Sequence, residues 1–320
     1  MHGLDKKNKI TSKKISKFFF LKYPFAVCRR TFAAGFNQKC HIHDFPQVWY
    51  CHSGAHIHFI GGKTNKCKKG SLLIIPPGVE HSFTFPEKNG GVLTCLEMSS
   101  DIFLDAPVDT LINTLSNLFL PCFAKDLGYM PPQYSQLSIL SQERFCEILA
   151  HLSAVSHSAV LDDQTSIFCG LEEMFSLPET KLPPKLCDIA LEICKTKLLP
   201  ILESISFVNK NFQQKIVAED LLHISALCRT HFFRYFKMLT GTSFSAYLQE
   251  LRLAYAFILI GNSDYPLSHI AELCGFSDAA YMTKCYKKYL SSSPLRQRPL
   301  VREDFDEMRI RRLERYNNQN

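Results

Sequence analysis

Two stretches in the last third of the chain repeat one rhythm of apolar and polar positions. In residues 216–241 (IVAEDLLHISALCRTHFFRYFKMLTG), Ala218, Leu221 and Leu222 begin a short helix, a turn falls around Ser225 and Cys228, and a second helix runs from about Arg229 to Leu239. Phe232, Tyr235, Phe236 and Leu239 fall at core spacing, with Thr230, Arg234 and Lys237 on the other side. Residues 270–295 (IAELCGFSDAAYMTKCYKKYLSSSPL) repeat the pattern. A helix over 267–273 meets Gly275, which takes positive φ at a helix end without steric cost. Ser277 then caps a second helix, with Asp278 in its first turn at the positive end of the dipole. Tyr281, Met282, Cys285, Tyr286, Tyr289 and Leu290 form its apolar stripe, and Thr283, Lys284, Lys287 and Lys288 lie largely elsewhere on the cylinder. Between the two, residues 244–260 read as one unbroken helix of roughly 25 Å, long enough to hold two recognition helices about one DNA turn apart.

The first half has a different texture. From Tyr23 to Met98, short runs at 48–50, 56–60, 72–75 and 92–96 alternate with Gly, Pro and Asn, which predicts many short strands in a sandwich or small barrel. Gly61 and Gly62 mark a two-residue hairpin. After Ser99 the period turns helical. One helix is expected through Ile102, Leu104, Leu111, Leu115 and Leu118, one through Phe145, Ile148, Leu149 and Leu152, and one through Ile167, Leu171, Met174 and Phe175. Pro178, Pro183 and Pro184 mark a linker over 178–195. Leu198, Ile201, Ile205 and Val208 then give the stripe of a helix opening a domain at 196–300. Residues 1–22 read as a basic arm, 23–98 as a barrel, 99–177 as a helical region, and 301–320 as a charged tail offering Arg309, Arg311, Arg312 and Arg315. The fold class is therefore α+β and multidomain, with a β-barrel and helices followed by an all-α domain.

Composition narrows the function classes. A chain of 320 residues with 46% hydrophobic and 21% charged residues is globular and large enough for two cores. The net charge of +7 suits a nucleic-acid partner without establishing one, and part of it sits in the lysines of the first twenty-two residues. Thirteen cysteines without a CxxC pair read as thiols in a reducing compartment, not as a disulfide framework or zinc finger. The apolar run at 18–21 is too short for a signal peptide or membrane span, so the expectation is a cytoplasmic protein with no membrane partner.

The last hundred residues resemble the DNA-binding domain of the AraC family of bacterial transcription regulators. The likeness is carried by Leu221, Phe232, Arg234, Phe236, Lys237, Thr240, Gly241, Tyr247 and Arg252, then by Ile270, Ala271, Gly275, Phe276, Ser277, Tyr281, Lys287, Lys288, Tyr289 and Pro294. Three positions depart: Leu222 stands where the family usually has Ala, Ala226 where it often has Gly, and Ser291 where Gly is usual. The resemblance implies double-stranded DNA as partner. Arg229, Thr230 and His231 open the first recognition helix, and Asp278, Ala279 and Thr283 the second, where they face bases. Lys237, Lys284, Lys287 and Lys288 touch phosphates, and Arg234 either braces the domain or holds a phosphate. Tyr247 and Arg252 hold the two halves together. A homodimer through the helices after the barrel, contact with RNA polymerase, and a role as activator are further implications, as is an arm that folds over the effector.

Gly35, His41, His43, Gln47 and Gly54 resemble the first cupin motif in identity and spacing, and Gly70, Pro76, Gly78 and His81 the second. In a strand, His41 and His43 point to one face, and His81 meets them from a neighbouring strand. The effector-binding candidates are His41, His43, Gln47, Trp49 and His81, for a small-molecule effector among which a sugar is one class. No cofactor is expected. A divalent metal, if bound, would sit at His41, His43, Gln47 and His81, but Gln47 replaces the motif's usual Glu and Phe85 its usual Asn. His56 and His58 are expected on a solvent-facing or edge face. Two other readings stay open: a metal-dependent cupin enzyme with an accessory DNA-binding part, and a regulator that senses a metal or oxidant directly through the histidines or through Cys40 or Cys51.

Overall fold

In the computed structural model, residues 11–13, 25–43, 45–104, 108–123, 134–157, 164–182 and 184–296 are described. The charged tail and nearly all of the basic arm lie outside them. The chain divides into two compact units, the first chiefly Tyr23–Leu199 and the second chiefly Pro200–Lys237 with the chain from Thr242 onward.

The first unit is built on two five-stranded sheets. One has the order β1-β3-β8-β5-β6, from β1 (Thr11–Lys13), β3 (Asn37–His43), β8 (His81–Thr84), β5 (Ala55–Ile60) and β6 (Lys63–Lys68). The other has the order β10-β7-β4-β9-β2, from β10 (Tyr134–Gln136), β7 (Ser71–Ile75), β4 (Gln47–Ser53), β9 (Gly91–Met98) and β2 (Phe25–Phe32). All pairings are antiparallel except β1 with β3. All four expected runs are strands. The Gly61–Gly62 hairpin joins β5 to β6 with φ of 53° and 87°, the positive pair that a type I′ turn demands.

The two sheets differ on their outer faces, and the sequence shows why. β4 is buried on both sides: Trp49 and Cys51 face the shared interior, while Tyr50 on the outer side packs 5.0 Å from Phe145 of the helix Ile139–His157. Its run VWYC is therefore continuous, whereas β5 alternates because its outer face meets water. The interior cluster joins Phe32, Trp49, Cys51, Ile60, Leu73, Phe83, Phe85, Leu93 and Cys95.

Helices α1 (Val108–Phe119), α2 (Ile139–His157) and α3 (Gln164–Ser176) follow the strands. Ile102 does not join α1 as expected. It lies in a short 3-10 turn, Ser100–Phe103. At the start of the expected linker the chain is tied to α2. Glu179 accepts hydrogen bonds from the Ser138 amide at 2.9 Å and the Ser141 hydroxyl at 2.8 Å, at the start of α2. From Pro184 the chain is helical through α4 (Pro184–Ile193), a π turn (Cys194–Leu198) and α5 (Leu199–Asn211). Pro184 can open a helix because its missing N–H would be unsatisfied there anyway. Pro200 is different: it has no N–H for the carbonyl four residues back, and its ring crowds that group. The turn before it widens, and Leu199 bonds to Cys194.

The second unit is helical throughout its described residues: α5, α6 (Ala218–Ser225), α7 (Arg229–Thr240), α8 (Phe244–Asn262), α9 (Leu267–Leu273) and α10 (Ala279–Leu290). Both expected helix pairs and the spacer are present. The stripe Leu198, Ile201, Ile205 and Val208 is buried. One cap differs from expectation. Asp278, not Ser277, caps α10 by accepting from the Tyr281 amide at 2.7 Å, while Ser277 donates to Asp278 at 3.0 Å. The third residue of the helix finds its acceptor in the longer, charged side chain.

Two described non-glycine residues have positive φ, Ala226 at 52° and Ser291 at 53°. They are two of the three positions where the sequence departs from the family. Each ends a helix that would ordinarily close on glycine. A Cβ in the left-handed region costs about 1–2 kcal/mol, part of which glycine's greater unfolded entropy offsets. We expect Ala226→Gly and Ser291→Gly each to stabilise the chain by ~0.5–1 kcal/mol. Gly275→Ala should do the opposite, since a Cβ there would lie 2.6 Å from the Gln213 carbonyl oxygen. Calorimetric midpoints check this, and a fall on placing glycine at 226 or 291 would refute the strain.

Candidate effector site and nucleic-acid interface

The interior of the first unit is unusually polar. His41 and His43 stand on β3 and His81 on β8, with His41 and His81 in direct register. All three are buried, their ring centroids are 4.2–5.0 Å apart, and one ligand nitrogen from each falls within 4.8 Å of the others. Backbone carbonyls fix two of the tautomers. His41 Nδ1 donates to Lys39 O at 2.8 Å and His81 Nδ1 to Val79 O at 3.3 Å, which leaves both Nε2 atoms with a lone pair. His41 Nε2 accordingly accepts from Gln38 Nε2 at 3.3 Å, and His43 Nε2 donates to it at 3.0 Å.

On the facing sheet, Gln47 and Trp49 are buried on β4. Trp49 Nε1 donates to Gln47 Oε1 at 3.0 Å, and Gln47 Nε2 donates to Glu97 Oε1 at 2.9 Å. Gln47 and Glu97 are register partners on β4 and β9. The site residues expected from sequence thus share the interior with a carboxylate the sequence reading missed. Its signal was available: Glu97 is the one charge in the otherwise uncharged strand GVLTCLEM.

His56 and His58 overturn their expectation. They point inward, at 3% and 0% exposure, while Ile57 on the outer face is 50% exposed. Their four ring nitrogens make no hydrogen bond among the described residues. His56 packs against Phe85 at 5.1 Å, His58 against Phe83 at 5.4 Å, and His58 lies 6.2 Å from Trp49 and 6.1 Å from His81. Hydrophobic alternation along AHIHFI points the wrong side inward, because this interior takes imidazoles where most take aliphatics. The one piece of the arm that is described, β1, runs parallel to β3 with Thr11 opposite His41 and Lys13 opposite His43.

Cupin motifs imply a divalent metal, and the donors fit one. Three convergent imidazoles, two of them oriented by backbone acceptors, are a ligand set for a transition-metal ion. The fourth motif position does not fit as a ligand, since the Gln47 amide is engaged at both ends.

Burial alone pushes His56 down to about 4 and, as its largest cause, holds His58 well below the usual imidazole range. Burial and then the nearby Arg29 charge bring His52 to about 4. These groups are neutral at pH 7. Below about pH 6.5 an unfolded chain binds protons that the folded one refuses, so stability is complete above that value and falls toward pH 4. We expect the thermal midpoint to drop across this window, and His58→Leu to flatten the drop while adding about 1–3 kcal/mol at pH 7 by removing an unsatisfied buried group. A pH profile unchanged by that substitution would place the uptake elsewhere.

In the second unit the two candidate recognition helices anchor by one face. Phe232, Tyr235 and Phe236 of α7 are buried, Phe236 lying 5.4 Å from Tyr247 of α8. Met282, Cys285 and Tyr286 of α10 join Leu253, Ala254, Phe257 and Ile260 of α8 and Ile270 and Ala271 of α9. The opposite faces carry the residues expected at DNA. Arg229, Thr230, His231, Arg234 and Lys237 on α7 are exposed, as are Asp278, Lys284, Lys287 and Lys288 at α10, with Ala279 and Thr283 half-buried. Arg229 pairs with Glu219 of α6, and His231 stacks on Tyr235. Arg234 lies over the Tyr235 ring at 4.7 Å and donates to its hydroxyl at 2.8 Å. Asp278 spends a carboxylate oxygen on its cap. Tyr281 is a correction: expected on the apolar stripe, it is 49% exposed, and its hydroxyl accepts from Gln249 at 3.3 Å. Tyr247 and Arg252, expected to hold the two halves together, bond to α5 and the turn after it. The Tyr247 hydroxyl donates to Asn209 at 2.8 Å, and Arg252 donates to the Phe212 and Gln214 carbonyls, both at 2.8 Å.

Residues 29–159 match the AraC-like ligand binding domain family and residues 222–298 the helix-turn-helix domain family. The chain is 25% identical over 293 residues to the HTH-type transcriptional activator RhaR of Mannheimia succiniciproducens, covering 88% of this chain and 94% of RhaR. Among solved structures, the DNA-binding domain of AdpA in complex with a target DNA is 27% identical, with a TM-score of 0.31, over 32% of this chain and 93% of that one. ToxT from Vibrio cholerae O395, bound to (E)-4-(8-methylnaphthalen-1-yl)but-3-enoic acid, is 12% identical with a TM-score of 0.37, over 87% of this chain and 99% of that one. A cupin-like ligand-binding unit joined to a double helix-turn-helix unit is the build of a DNA-binding transcription regulator. The chain belongs to the AraC family of such regulators, a family of transcription factors and not of enzymes. No helix among the described residues is long and apolar enough to cross a membrane.

Proposed function

We propose that the chain is an effector-controlled regulator in which the barrel interior holds a small polar molecule and the two recognition helices read one DNA site. The observation that carries the effector reading is the buried histidine cluster, because four imidazole nitrogens without hydrogen bonds are costly in a purely structural core. The ligand contacts are His41, His43, Gln47, Trp49 and His81, extended by His56 and His58. β1, lying along β3, is the part of the arm that reports on occupancy.

On DNA, Arg229, Thr230, His231, Ala279 and Thr283 face base edges, and Lys237, Lys284, Lys287 and Lys288 contact phosphates. Arg234 braces α7 through Tyr235, and Asp278 serves α10 as its cap. Helices α1 to α3 provide the surface for a homodimer, and the likeness to an activator favours activation through RNA polymerase. Effector coupling of about 1–3 kcal/mol, typical of such proteins, changes DNA affinity roughly five- to 150-fold.

Two measurements test this. The full chain, screened against small metabolites by thermal shift, should be stabilised by its effector and should change operator affinity when that effector is present. Lys287→Ala with Lys288→Ala should weaken binding to all duplexes alike and reduce the slope of log affinity against log salt by about 2. An unchanged slope would place the second recognition helix elsewhere.

A further inference from the structure

Helices α7 and α10 match residue for residue. Each has 12 residues, and in each the fourth, seventh and eighth are buried: Phe232, Tyr235 and Phe236 of α7, Met282, Cys285 and Tyr286 of α10. The second, third, sixth and ninth are exposed in both, so one outward face is built twice. The sixth and ninth are cations on either helix, Arg234 with Lys237 and Lys284 with Lys287.

The leading turn is where the copies part. α7 opens with Arg229, Thr230 and His231, which bring a guanidinium, a hydroxyl and an imidazole, all exposed. α10 opens with Ala279, half-buried, and then Ala280 and Tyr281, both exposed, which bring methyl groups and a phenol ring. The phenol is held from two sides. Its hydroxyl accepts from Gln249 of α8 at 3.3 Å, and its ring lies edge-on to Phe276 at 6.1 Å. Even so the side chain stays 49% exposed, a large apolar surface left in water on a helix whose neighbouring positions are lysines.

The chemistry of duplex DNA gives such a surface one complement. Base edges in the major groove are told apart by hydrogen-bond donors and acceptors, with a single apolar exception, the C5-methyl of thymine. Alanine methyls leave donors and acceptors unpaired when they displace water from them, which is costly. Against a thymine methyl the same displacement is favourable, and a ring already fixed in place gives up little freedom on contact. The first turn of α7 has the opposite character, because its three polar side chains suit hydrogen-bonding edges.

We propose that α10 selects thymine, its methyl seated against Ala280 and Tyr281, so that the two helices read half-sites of different chemistry. This rests on the reading of both helices as groove-facing and names the class of sequence that the second one takes.

The test begins by enriching binding sites for the full chain from a random duplex pool, which should yield two blocks about one helical turn apart. Each thymine of the enriched site is then replaced by deoxyuridine, a change that deletes the methyl and nothing else. In one block the wild type should lose roughly fourfold in affinity per contacted methyl, the weight of one small apolar group buried. Tyr281→Ala should bind the thymine and uracil duplexes alike, while the base preferences of the other block persist. Tyr281→Phe, which keeps the ring, should keep the discrimination. Should Tyr281→Ala fail to fold, Tyr281→His places the residue of the first helix on the second and should likewise erase the dependence on the methyl. Two enriched blocks that both ignore the methyl would overturn the proposal alone, as would a folded Tyr281→Ala or Tyr281→His chain that retains the full loss. Enrichment of no sequence would remove the site reading beneath it, and the proposal with that reading.

Discussion

Both recognition helices take their support from a single rod, α8. Its N-terminal turn receives Phe236 through Phe244 and Tyr247, and its C-terminal half receives α9 and α10 through Leu253, Ala254, Ala256, Phe257 and Ile260. Small residues at 254 and 256 let the second pair of helices come close. The rod is pinned to α5 by the Tyr247–Asn209 hydrogen bond and to the turn after it by Arg252. At 19 residues it spans about 28 Å, so the separation of α7 and α10 is set by backbone geometry instead of by loops. Short helices such as α6 and α9 would be marginal by themselves, and packing against this rod is what makes them stable.

The first unit solves the opposite problem. A core normally excludes polar groups, and here one sheet contributes five imidazoles to it while the other contributes an amide, an indole N–H and a carboxylate. The unit tolerates this because aromatic rings surround the polar groups and because the second sheet is covered outside by α2, where Phe145 packs on Tyr50. Stability lost inside is offset by apolar area buried on the outer side of β4, β7 and β9. The four ring nitrogens of His56 and His58 stay without hydrogen bonds among the described residues.

Much of this was legible from residues alone. The double helix-turn-helix pattern, the spacer and the strands follow from period and spacing, and the convergence of His41, His43 and His81 from the resemblance to the two cupin motifs. The failures have physical causes. His56 and His58 were misplaced because alternation tells which residues share a face but takes the apolar set as the inner one. Glu97 was missed because its importance lies in a register with β4, which no local pattern encodes. Tyr281 falls at the edge of the stripe on α10, where a large amphipathic ring can face either way. The cap at Asp278 instead of Ser277 is a shift of one residue between two competent acceptors.

The sheet of histidines has two open sides, and they are guarded differently. At β6 the sequence KTNKCK sets Lys63, Lys66 and Lys68 along the edge, a row of like charges that repels another strand. β3 has no such row; its backbone is occupied by three residues of β1. Any event that draws β1 away bares unpaired amides and carbonyls beside His41 and His43, an adhesive margin ready for another extended segment. Release of the arm and exposure of a sticky border are therefore one and the same act in this fold.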